Sequence, residues 1–358
     1  MHINDLLKIA AERRASDLHI KVGSHPVIRV DGELVPLVEL KRLMQEDTIA
    51  MAFSIMSSRQ KEKFKNNYEI DIAYSVPGLG RFRCNIFQQR GTVGMVLRVI
   101  PVKILSIREL MLPTVLERIA EERRGLILCT GTTGSGKSTT LAAMIDYINA
   151  HRTEHIMTVE DPIEFLHQHK RAVVNQREVG EDTHSFAAAL KHVLRQDPDV
   201  ILVGEMRDLE TIHTAITAAE TGHLVFGTLH TQDAPQSVDR IIDVFPAHQQ
   251  QQVRVQLSVA LQGIITQQLL PTADGAGRIA ACEVLLATPA IRNLIREGKT
   301  HQIYSSLQTG ANIGMQTMDA ALATLVRQGK ITQKLAESRS STPEELRRLL
   351  GAASFAVN

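Results

Sequence analysis

Apolar residues return at three- and four-residue intervals over residues 4–14, which predicts a short amphipathic helix. The pattern then switches to the two-residue alternation of a strand in "SDLHIKVG" and again in "VIRVDGELVPL". Asp31-Gly32 interrupts the second alternation and supplies the positive φ of a tight turn, so that stretch reads as a hairpin. Two helical segments follow, residues 46–56 and 59–66, and then three strands, "YEIDIAYSV", "RFRCNIFQQR" and "VGMVLRVI". Pro77-Gly78-Leu79-Gly80 and Gly91 separate these strands. Past "PVKILSIREL" the character of the chain changes. Short continuous apolar runs ("GLILCT", "HIMTV", "DVILV", "HLVFGTL") alternate with helical segments, as in a parallel sheet covered on both faces. The pattern divides the chain near Pro101 into a small α/β domain at residues 1–98, a linker at 99–112 and a larger α/β domain at 113–358.

Within the larger part, "DTHSFAAALKHVLRQ" reads as a helix capped by Asp182 or Thr183, and "DLETIHTAITAAETG" as one ended by Gly222. The C-terminal tail reads as helical. "PAHQQQQVRVQLSVALQGIITQQLL", which mixes apolar residues with glutamines, is expected to be one helix from Pro246, packed on the core with one face at a subunit contact. "AIRNLIREGK" places Ile291, Leu294 and Ile295 on one side and Arg292, Arg296 and Lys299 on another. "TPEELRRLL" opens at Thr342 with acids in its first turn.

Composition narrows the function classes. Lys and Arg number 40 against 39 Asp and Glu among 358 residues, a net charge of +1, so no bulk charge draws the chain to nucleic acid or acidic lipid. The start lacks the regions of a signal peptide, and no apolar run reaches membrane-spanning length. Cys84, Cys129 and Cys282 are far apart, two of them in apolar strand-like runs, and read as buried thiols of a reducing compartment. His155, His167 and His169 lack the cysteine or glutamate partners of a zinc site.

The chemistry lies in the second half. The apolar strand "GLILCT" runs into "GTTGSGKSTT" and then a helix. Gly131, Gly134 and Gly136, with Thr132, Thr133 and Ser135 between them, form a loop whose backbone N–H groups can curl around a phosphate at a helix N-terminus. In that pattern Lys137 reaches the β- and γ-phosphates, Ser138 offers its hydroxyl to Mg²⁺, and Thr139 continues the first turn. ATP and Mg²⁺ are the implied ligands. In an open parallel sheet, ligands sit beyond the carboxyl ends of the strands. Three groups stand there: Glu164, after "HIMTVEDPI"; Glu205, after Val200-Ile201-Leu202-Val203-Gly204; and His230, after "HLVFGTL". All three are expected to converge on the nucleotide. A cluster of arginines, Arg81, Arg83, Arg90 and Arg98, lies on the last strands of the first half.

Four blocks together resemble the secretion and type IV pilus ATPase superfamily: "GTTGSGKST", "TVEDPIEF", "DPDVILVGEMRDLET" and "TAAETGHLVFGTLHT". "ASDLHI", "AIRNLIREGK" and "GMQTMD" place the resemblance with its pilus-retraction, twitching-motility branch, over nearly the whole chain. Thr132 stands where that family's loop commonly has proline. The resemblance implies a PAS-like N-terminal domain, a RecA-like P-loop domain with C-terminal helices, and a cytoplasmic homo-hexamer at the inner-membrane face of a pilus machine. Its implied partners are the membrane platform protein and a sister retraction ATPase. It assigns Mg²⁺ to Glu205 and the attacking water to Glu164, roles that the residues alone leave interchangeable. It makes His230 a γ-phosphate sensor and draws charge-neutralising arginines from the stretch holding Arg81 and Arg83, and it gives "AIRNLIREGK" a part in retraction beyond hydrolysis. Two other readings stand beside this one, an accessory motor of the same family and a RecA-like nucleic-acid translocase. The near-neutral charge and the lack of a basic stripe or stacking aromatics oppose the translocase.

Overall fold

The computed structural model describes residues 2–30, 32–100 and 103–351. Asp31 of the expected hairpin turn and Pro101 and Val102 of the expected linker lie outside the described residues. By its internal contacts the chain forms two units, Met1–Lys103 with Glu164–Leu166, and Ile104–Ile163 with His167–Asn358.

The first unit is an antiparallel sheet with helices. Its strands are β1 (Asp17–Ile20), β2 (Val27–Val30), β3 (Glu33–Pro36), β4 (Glu69–Val76), β5 (Gly80–Gln89) and β6 (Thr92–Ile100). They lie in the order β3-β2-β1-β6-β5-β4. The two-residue period decides which side chains enter the core. On β5, Phe82, Cys84 and Ile86 are fully buried, whereas Arg83 between them is exposed. Burying a side chain such as Phe82 stabilises by about 1.5–3 kcal/mol, and the three together fix the register that turns the arginines outward. The helix Ser58–Asn67 starts at a reciprocal cap, in which the Ser57 hydroxyl accepts from Gln60 N and the Gln60 side chain accepts from Ser57 N.

The second unit holds a seven-stranded sheet. Its strands are β7 (Gly125–Thr130), β8 (His155–Glu160), β9 (Val173–Glu178), β10 (Val200–Val203), β11 (Leu224–Leu229), β12 (Leu261–Pro271) and β13 (Arg278–Leu286). The order is β13-β12-β7-β11-β10-β8-β9, parallel except for β13 at one edge. β7, β10 and β11 are buried at every position, which is why they read as unbroken apolar runs. Alternate residues enter two cores, Leu126, Leu128, Ile201 and Val203 on one face and Ile127, Cys129, Leu202 and Phe226 on the other.

Two expectations are corrected here. Residues 246–270 are not one helix. The helix Ala247–Ala260 ends where Leu261 turns to extended backbone, and Leu261–Pro271 becomes β12 between β7 and β13. A run with apolar residues on every side has no helical face to bury, and two flanking strands satisfy its backbone as a third strand of the sheet. The second correction concerns the helix Phe186–Val193, whose cap is Ser185, accepting from Ala188 N at 3.1 Å. Asp182 is turned away to Glu178 N at 2.8 Å, and Thr183 pairs through its backbone with Val179.

Candidate nucleotide site

β7 delivers the chain to Gly131, whose φ is +138° and where a Cβ would lie 2.4 Å from the Gln267 carbonyl oxygen. Only glycine can leave the sheet on that path. The loop then turns into the helix Lys137–His151, with Gly136 as its N-cap. The unpaired N–H groups and positive dipole end of that helix therefore point out of the loop. Lys137 Nζ donates to the carbonyls of Gly131 (2.8 Å) and Thr132 (3.1 Å), which folds the ammonium against its own loop. Thr132, Thr133 and Gly134 are exposed, Ser138 and Thr139 are half-buried, and Ser135 is buried with its hydroxyl unbonded. A cleft of about 400 Å³ opens along Thr132–Ser135, bounded opposite by Gln268, Leu269 and Arg339.

β10 and β11 run side by side with Val203 against Gly227, so the residues just beyond their carboxyl ends are neighbours. There the Glu205 carboxylate meets His230, Nε2 to Oε1 being 3.0 Å, and also accepts from Arg207. Glu205 is mostly covered and His230 is 43% exposed at its side chain, so the histidine forms the outer wall of the pair. A second cleft, about 670 Å³, is lined by Thr133, Glu205, Arg207, His230 and Arg240. Thr133 of the loop thus lines one cleft together with Glu205 and His230, beyond the carboxyl ends of β10 and β11.

The remaining candidates line neither cleft. Glu164 is exposed and groups with the first unit. Arg81 and Arg83 are on β5 of that unit, and Arg83 Nε stands 3.9 Å from Asp71 Oδ1 in an exposed pair of small energetic weight. Arg98 donates to Asp17 at 3.0 Å. In the helix Pro289–Arg296, Ile291 and Ile295 are buried as expected. Arg292 is structural: its guanidinium donates to the carbonyls of Ala287, Ser258 and Val259 and to Gln262 Oε1, closing the end of the helix Ala247–Ala260.

The fit to a phosphate chain rests on the loop itself, which combines a helix N-terminus, an ammonium group and a close backbone path that a Cβ at Gly131 or Gly136 would obstruct. No cluster of three acidic, histidine or cysteine groups able to hold a metal occurs among the described residues. Sequence reasoning missed Glu283, buried on β13, and Gln267, buried on β12 in the stretch read as one helix. The signal available was the β-branched, glycine-interrupted run "GIITQQLL", which suits a strand better than a helix.

The sequence profile of the Type II/IV secretion system protein family matches residues 1–349. The chain is 51% identical to the type IV pilus retraction ATPase PilT of Pseudomonas aeruginosa over 344 residues, 96% of this chain and 99% of that protein. It is 45% identical to the type IV pilus ATPase PilU of the same organism, over 98% of this chain and 91% of PilU. Among solved structures it superposes on the pilus retraction motor PilT with bound ADP at a TM-score of 0.91, with 51% identity, covering 97% of this chain and 99% of that one.

Proposed function

The chain belongs to the Type II/IV secretion system protein family, and from that membership we propose that it is an ATP-hydrolysing motor that retracts a type IV pilus and so powers twitching motility. The observation that carries this reading is the cleft that Thr133 of the phosphate loop shares with Glu205 and His230, in a chain that parallels retraction ATPases over nearly its full length.

Each residue has a physical task. The loop amides bind the phosphates of ATP, and Lys137 offsets the negative charge that grows on them during transfer. Ser138 and Glu205 are the residues that would hold Mg²⁺, which when bound supplies charge neutralisation at the phosphate oxygens. Glu164 orients the attacking water. His230, bonded to Glu205 at 3.0 Å, links that carboxylate to the end of β11 and registers whether the γ-phosphate is in place. Arg81 and Arg83 supply cations to the phosphates of a neighbouring subunit in a homo-hexamer, and the helix Pro289–Arg296 passes the resulting motion to the pilus machine beyond hydrolysis itself. The motor works in the cytoplasm against the platform protein of the inner membrane, with a sister ATPase as an occasional companion. No helix among the described residues is long and apolar enough to cross a membrane.

The test has a biochemical and a cellular arm. Purified protein should hydrolyse ATP, and Lys137→Ala should lower turnover at least ~100-fold, as loss of one transition-state contact requires. Cells lacking the gene should extend pili that never withdraw. Retraction that persists in the deletion strain would assign the chain to the accessory role of the PilU type, and strong stimulation by single-stranded DNA would assign it to nucleic-acid translocation.

A further inference from the structure

Gln267 lies on β12, outside the phosphate loop, and is 2% exposed. Burial of a primary amide is unfavourable unless both its ends are hydrogen-bonded. Here both are. Oε1 accepts from the Thr140 hydroxyl at 2.8 Å, and Nε2 donates to the Ser135 carbonyl at 2.8 Å. A carbonyl only accepts, so the amide's orientation follows from its partners. The amide thereby bridges the loop and the first turn of the helix Lys137–His151. Beside it, Thr266 of the same strand meets Thr130 at the end of β7 at 2.9 Å.

The loop's glycines are shaped around this strand. At Gly136 a Cβ would lie 2.7 Å from Gln267 Nε2, and at Gly131 it would lie 2.4 Å from the Gln267 carbonyl oxygen. Two of the loop's three glycines are therefore needed for the approach of one residue of β12 as well as for the approach of a ligand.

We propose that Gln267 is a positioning residue for nucleotide binding: by tying down the Ser135 carbonyl it sets the plane of the Ser135–Gly136 peptide. In a trans peptide the C=O and N–H point in opposite directions. Drawing the carbonyl into the sheet turns the Gly136 N–H away from it, towards the hollow of the loop. Without that tie the peptide can rotate, and the amide would have to be reordered each time a phosphate binds. The phosphate is held in the ground state and the transition state alike, so the effect falls on binding and leaves the chemical step nearly untouched.

This inference rests on the reading of residues 131–138 as an ATP site, and the experiment separates the two. Steady-state ATP hydrolysis is measured for the full-length wild type and for Gln267→Met, which keeps the volume and removes both hydrogen bonds. The expected result is a KM for ATP raised about tenfold or more with kcat within threefold of wild type, in line with one weakened hydrogen bond to a charged group. Thr140→Val removes only the helix-side bond and should raise KM less than threefold. Should Gln267→Met fail to give wild-type circular dichroism, Gln267→Leu decides by the same criterion, because it too has neither a donor for the Ser135 carbonyl nor an acceptor for Thr140. An unchanged KM in the folded variant, a loss confined to kcat, or a Thr140→Val effect equal to that of Gln267→Met would each overturn the proposal. A wild type with no Lys137-dependent hydrolysis would overturn the ATP-site reading and this inference with it.

Discussion

Glu283 is a carboxylic acid sealed inside the second unit, 3% exposed on β13. Its Oε1 accepts from Ala234 N at 2.9 Å, and a second hydrogen bond comes from Met318 N, so one side chain fastens the first turns of the helices Ala234–Asp243 and Met318–Arg327. Burial, reinforced by the nearby carboxyls of Asp233 and Asp319, pushes its pKa from 4.5 up to about 7. At 1.36 kcal/mol per pKa unit, that displacement is worth about 3 kcal/mol. The sign follows from linkage. The folded protein holds the proton more tightly than the unfolded chain, so the contribution is complete below pH 4.5 and is lost as pH rises through 7. Most of the loss falls between pH 5 and pH 8. Glu283→Gln carries no proton to lose, and groups common to both proteins cancel in the difference between them. The sequence has no tryptophan, so urea unfolding is best followed by far-ultraviolet circular dichroism, at one protein concentration. Relative to Glu283→Gln, the wild type should lose about 2–3 kcal/mol of unfolding free energy from pH 5 to pH 8. A difference that stays constant within ~0.5 kcal/mol over that range would refute the reasoning, for the carboxyl would then ionise as it does in water.

Three further outcomes are expected. Glu164→Gln should keep ATP binding and lose hydrolysis, while Glu205→Gln should weaken the Mg²⁺ dependence of both; the opposite pattern in a nucleotide-binding assay would exchange their roles. Arg81→Ala/Arg83→Ala protein should bind nucleotide yet hydrolyse it slowly, and should regain activity when its subunits exchange with Lys137→Ala protein. Activity no greater than the sum of the parents, with exchange verified by fluorescence transfer, would place those arginines outside any shared site. Gly227→Ala should destabilise by about 1–3 kcal/mol, since the new Cβ would stand 2.2 Å from Met206 Sδ, and should also slow turnover because Met206 adjoins Glu205. A urea midpoint and turnover equal to wild type would show that Met206 yields freely.

The sequence alone determined the phosphate loop, the alternation of buried strands and helices, and the acid and histidine that follow β10 and β11. These features are local. A glycine-rich turn between a strand and a helix N-terminus carries its backbone chemistry within a few residues, and a strand buried on both faces must be apolar throughout. In β5 the alternation is likewise local, and the structure buries Phe82 and exposes Arg83 beside it. What lay beyond reach depended on partners far along the chain. Ser185 rather than Asp182 caps its helix because Glu178 N claims the aspartate. Leu261–Pro271 is a strand because β7 and β13 lie on either side of it, whereas its own residues favour no single period. Gln267 and Glu283 reach residues 132 and 49 positions away, to Ser135 and Ala234. A buried polar side chain is placed by the groups that satisfy it, and chain closure brings those groups together only in the folded state.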